Sequence, residues 1–177
     1  MIKKIISAIM SFMMVGMFLV ACTPKKDDAE ENIRGFIERH YVADKDDLEA
    51  CGDYVKNGIG IGDNLNKKDK EMAEYMTEEG FDGYRIDRTL FYRFKLLYEK
   101  NCTSEIKDVE IVEKEKSDDM RRFNVKFNWI IKNDKDEIVK EHKVDKDIYL
   151  SEEHGSWLIN QYNKLEILYG DFNFNMV

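Results

Sequence analysis

The sequence predicts an α+β fold, with N-terminal helices packed on one face of a curved, mainly antiparallel four-stranded sheet, and three observations predict it. Apolar residues recur at helical spacing from Ile33 to Tyr98. After Cys102 the texture changes: neither proline nor glycine occurs before Gly155, and apolar and polar residues alternate in runs separated by polar turns. Helices come first and strands afterwards, without the interleaving that a parallel sheet requires.

In chain order, the first 21 residues stand apart. Lys3 and Lys4 form a basic start, and Ile5 to Ala21 is apolar except for Ser7, Ser11 and Gly16. This is the pattern of an export signal peptide. The stretch is shorter than the roughly 20 residues a spanning helix wants and runs into Thr23-Pro24 and the charged Lys25-Lys26-Asp27-Asp28. Leu19-Val20-Ala21-Cys22 resembles the lipobox of bacterial lipoproteins. That resemblance implies a diacylglycerol on the Cys22 sulfur, cleavage just before it, and a lipid-anchored place on the extracytoplasmic side of the cell membrane. The residues suit the chemistry, since Ala21 is small and Cys22 supplies a nucleophilic thiol. Two acyl chains hold a protein firmly where one is marginal.

Loss of Lys3 and Lys4 moves the formal charge from −8 to −10. Phosphate backbones and anionic headgroups repel such an exterior, so nucleic acid is excluded as a partner and lipid, not a basic patch, does the tethering. The expected organisation is a signal peptide over 1–21, the lipidated cysteine and a tether over 22–31, and one α+β domain over 32–177.

Ile33, Phe36, Ile37 and Tyr41 share one stripe of a first helix spanning roughly 28 to 43. Asp44 is placed to cap a second, short helix through Leu48 and Cys51, and Gly58-Ile59-Gly60-Ile61-Gly62 reads as a loop. Lys67 to Met76 is a third helical stretch, and Thr77 caps a longer one that ends near Asn101. Strands follow over about Ile106–Lys114, around Phe123–Ile131, over Ile138–Leu150 and over Trp157–Tyr169. The long helix running into Ile106-Lys107-Asp108-Val109, and the closing Gly155-Ser156-Trp157-Leu158-Ile159, resemble NTF2-like domains, whose helices fill the concave side of a curved sheet. A cystatin-like cone has the same order.

The chemical motifs weigh little. The glycine run completes no dinucleotide fingerprint and follows no strand. Asp44-Lys45-Asp46-Asp47 and Asp134-Lys135-Asp136-Glu137 have the carboxylate density of calcium loops but lack the required glycine and glutamate, and read as a helix cap and a hairpin turn. His40, His142 and His154 share no ligand spacing, so neither metal nor cofactor is expected. Cys51 and Cys102 either form a disulfide or remain two free, buried thiols.

Catalytic NTF2-like proteins place an acid or base among tyrosines inside the cone. By that resemblance Tyr84, Asp87, Arg88 and Tyr92 are pocket candidates, against the alternative of core or rim tyrosines and a solvated ion pair. The last strand carries apolar residues on both parities, so Leu158, Tyr162 and Leu168, beside Ile130, are candidates for an outward interaction face, unless a bulge swaps parity and buries both rows. The functional expectation is a non-catalytic binding or assembly module of the cell envelope, acting on an envelope protein partner or by self-association. The alternative is a small-molecule-binding or enzymatic pocket protein.

Overall fold

A computed structural model describes residues 27–57, 63–87 and 89–162. Within them the chain forms α1 (Ala29–Tyr41), α2 (Lys45–Asn57), α3 (Asp63–Met72), α4 (Glu78–Asp87), α5 (Thr89–Glu99), β1 (Thr103–Lys116), β2 (Met120–Lys132), β3 (Ile138–Glu153) and β4 (Ser156–Tyr162). The strands make one antiparallel sheet in the order β1-β2-β3-β4, and the helices pack on its concave face.

Three of the helices start where a side chain satisfies an orphan amide. Asp27 Oδ1 accepts from Ala29 N at 3.2 Å, and Glu30 and Glu31 place negative charge at the positive end of α1. The helix thus starts at Ala29, within the expected range of roughly 28 to 43. Ala29 is fully buried, because the first turn of α1 already lies against the sheet. Asp44 and Asp47 form a reciprocal cap on α2, each backbone N–H donating to the other's carboxylate at 3.0 and 2.9 Å. Thr77 Oγ1 accepts from Gly80 N at 3.1 Å and opens α4. Helix occupies both α4 and α5, on either side of Arg88, which lies outside the described residues.

Alternation places Phe123, Val125, Phe127, Trp129 and Ile131 of β2 on the concave face, where all five are buried. They meet Ile33, Phe36, Ile37 and Tyr41 of α1 and Phe94 and Leu97 of α5 in one core. The end of α1 is fastened to the sheet at Tyr41, whose carbonyl accepts from Trp129 Nε1 at 3.0 Å and Ser104 Oγ at 2.7 Å. Ala43 then pairs with Ser104, which starts β1 at Thr103, earlier than the alternation suggests.

At the other edge of the sheet, Ile159 N donates to Tyr75 O and Ile159 O accepts from Thr77 N, so the segment before α4 covers the edge of β4. The 133–137 turn closes on Asn133, whose side-chain oxygen accepts from the backbone of Lys135 and Glu137. A register shift lies between Tyr149 and Leu150, where Leu150 faces Ile159 and Tyr149 faces Gln161.

Candidate functional site

The most buried polar group is His40. It lies on the apolar stripe of α1 and is fully shielded from solvent. Its Nδ1 is 3.0 Å from the hydroxyl of Tyr84 in α4, and its Nε2 is 2.7 Å from the guanidinium of Arg93 in α5. A guanidinium has no acceptor, so Nε2 must accept and the proton resides on Nδ1, which donates to Tyr84. Arg93 also donates to the carbonyl of His40. Phe36 stacks on the imidazole at 5.4 Å, and Arg93 lies over the ring of Tyr41 at 4.6 Å. Burial, and secondarily the positive charge of Arg93, hold His40 well below its ordinary pKa of 6.5. The imidazole is neutral, engaged on both nitrogens and closed from water. It ties three helices together, and no substrate can reach it without their separation.

Two of the four pocket candidates, Tyr84 and Tyr92, have described side chains. Tyr84 points into the core at 2% exposure, whereas Tyr92 is an exposed surface residue. The side chains of Asp87 and Arg88 lie outside the described residues. Phe94 fills the space beneath α5 together with Tyr41, Phe127 and Trp129. An open cleft of about 490 Å³ lies instead on the outer side of α1, between Glu31, Arg34 and Glu38 and the ring of Tyr75.

The candidate outward apolar face falls only in part within the described residues. Ile130 is 4% exposed, so it offers no surface to a partner. The shift beside Leu150 changes the parity of β4: Leu158 faces Ser151, but residue 162 faces Ile148, a core position, so Leu158 and Tyr162 do not continue one row. Leu158 is half-buried, the side chain of Tyr162 is not described, and Leu168 lies outside the described residues.

The convex face carries a cross-strand polar ladder in place of that patch. Arg122 joins Glu115 at 2.7 Å and Asp147 at 3.4 Å, and Lys126 joins Asp145 at 3.1 Å. Asn124 donates to both aspartates, and Lys132 holds Glu105 at 2.9 Å. Exposed large aliphatic side chains occur at Ile138 and Val139, beside the 133–137 turn.

A second buried cation was not foreseen. Arg121 begins the inward row of β2, with its guanidinium over the rings of Phe123 at 4.9 Å and Trp157 at 5.3 Å. It donates from Nη1 to Asp27 and from Nε to Glu113, both at 2.7 Å. Those bonds lower the pKa of both carboxyls and raise that of the guanidinium. The adjoining Asp28 accepts from Trp157 N at 3.0 Å, and Asn32 Nδ2 donates to Trp157 O at 2.9 Å. The start of the body is thereby strapped to β2 and β4.

Cys51 and Cys102 are free thiols, both buried. Burial, with the nearby charge of Glu99 adding to it, pushes Cys51 up to about 11, and burial raises Cys102 as well. Among the described residues no three His, Cys, Asp or Glu side chains converge as a metal site, and no helix is long and apolar enough to cross a membrane.

No family model and no curated protein matches this chain. Among solved structures, a periplasmic fragment of TraM is similar with a TM-score of 0.48 at 14% identity, covering 76% of this chain and 93% of that one. A putative calcium/calmodulin dependent protein kinase II association domain from Xanthomonas campestris has a TM-score of 0.35 at 10% identity, covering 54% and 71% respectively.

Proposed function

We propose that this chain is a bacterial lipoprotein, anchored through Cys22 on the extracytoplasmic side of the membrane, whose α+β body is a non-catalytic binding or assembly module of the NTF2-like kind. The observation that carries the reading is the placement of polar groups. The buried histidine is consumed by helix-to-helix bonds, while the concave face that houses catalytic groups in pocket-bearing cones is packed with Phe94, Tyr41 and Trp129. Charge and hydrogen-bonding capacity are displayed outward, on the convex ladder, where a protein partner or a second copy has access. A short membrane tether fits the strap, because Asp27, bonded to Arg121, lies only five positions after Cys22.

The test combines localisation with capture. Cys22→Ala in the native host is expected to abolish incorporation of labelled fatty acid and to release the protein from the membrane fraction. Crosslinking of the lipidated protein in cells is expected to recover a discrete envelope protein or a dimer. Retention of fatty acid by the variant sinks the anchor, and turnover of a small molecule by the purified body sinks the non-catalytic reading.

A further inference from the structure

We infer that the end of the sheet formed by the 117–119 turn, the 154–155 turn and the first turn of α1 is the surface this protein turns toward lipid headgroups, an inference that rests on the anchor proposed at Cys22. Three observations meet at this end. The first is the strap: Asp27 is bound to Arg121 and Asp28 to the backbone of Trp157, so the tether joins the body at a defined place. The second is reach. Asp27 lies five positions after Cys22, a span of at most about 18 Å when fully extended.

The third is the register of the sheet. Residues Met120 of β2, Ser151 of β3 and Lys116 of β1 lie at the strapped end, whereas Lys132, Ile138 and Thr103 lie together at the other. Arg121 and Lys132 are eleven residues apart on β2, or about 36 Å at the usual strand rise. The 133–137 turn and the exposed Ile138 and Val139 are therefore about twice the tether's reach from the attachment point. Among the described residues the strapped end carries Asp118, Asp119, Glu152 and Glu153 against Lys116, all but Glu153 exposed. Those acids are repelled by an anionic lipid surface and not by a zwitterionic one.

The experiment uses full chain recovered from host membranes in phosphatidylcholine vesicles containing a headgroup quencher, with a fluorophore on a cysteine introduced at exposed Asp118 or exposed Lys135. The expected result is loss of most of the emission at 118 and little at 135. Addition of phosphatidylglycerol is expected to weaken quenching at 118, and salt to restore it. Equal quenching at both positions, or stronger quenching at 135, overturns the inference, and stronger quenching at 118 on adding anionic lipid overturns its electrostatic part. Failure of the full chain to float with vesicles counts against the lipid anchor instead. A chain with Cys22→Ser and a hexahistidine tag in place of residues 1–21, held by nickel-chelating lipid, then tests the orientation separately by the same two labels.

Discussion

Arg93 reaches from α5 to within 2.7 Å of Nε2 of His40 on α1, so a guanidinium occupies the position at which the imidazole would take up a second proton. The pKa of His40 is depressed in the folded state, which sets the sign of the pH dependence. Its contribution is whole above the ordinary value of 6.5 and is lost as pH falls from there toward the folded value, because the unfolded chain binds the proton and the folded one does not. Urea unfolding at stepped pH is expected to show stability declining below pH 6.5 with a slope approaching about 1.4 kcal/mol per unit. His40→Gln, which keeps an acceptor and removes the titration, is expected to flatten this slope. An unchanged slope in the variant assigns it to other groups. Asp27 and Glu113, with ordinary values of 3.8 and 4.5 that are lowered further here, give up their stabilisation only in more acidic solution.

Two glycines of α4 separate backbone propensity from packing. A methyl added at Gly80 lies 2.7 and 2.8 Å from the backbone carbonyl oxygens of Ile159 and Asn160, which cannot swing aside as a side chain would. At Gly83 an added methyl meets nothing within 4 Å. Gly80→Ala is expected to cost about 1–3 kcal/mol, whereas Gly83→Ala is expected to add about 0.5–1 kcal/mol through helix propensity. Chemical denaturation of both variants measures the difference, and equal effects would remove the α4–β4 contact as its cause.

Arg121 is buried between two rings, but its partner Asp27 has a side chain 57% exposed. Asp27→Asn is therefore expected to cost less than about 1 kcal/mol, since solvent screens the pair. Arg121→Ala also removes the stem packed on Phe123 and Trp157 and leaves Glu113 without its bond, with an expected cost of about 2–4 kcal/mol. Urea midpoints of the two variants decide the matter. A loss at Asp27 matching that at Arg121 would place the energy in the ion pair and not in the packing.

The two cysteines give a chemical prediction. Both are free and buried with raised pKa values, so little thiolate is present near neutral pH. The melting temperature of the mature body is expected to be the same with and without reductant. A disulfide-exchange reagent is expected to label Cys51 and Cys102 slowly in the native state and rapidly after unfolding. A fall in melting temperature on reduction would show that the two pair in solution.

What the sequence by itself determined is what contiguous residues encode. The stripe Ile33, Phe36, Ile37 and Tyr41, the caps at Asp44 and Thr77, the turn at 133–137 and the inward row from Phe123 to Ile131 all express periodicity or hydrogen bonding within a few positions. His40 falls on that stripe too, and the structure buries it there. Tertiary structure alone decided how the polar and ambiguous positions were used. His40 meets Arg93 across 53 positions, and Arg121 meets Asp27 across 94. The irregular pairing of β3 with β4 set residue 162 opposite a core position, and Ile130, on the polar parity of its strand, became buried. The physical reason is that the cost of burying a charge, or the parity of a strand past a bulge, depends on which distant groups arrive beside it, and local spacing carries no record of them.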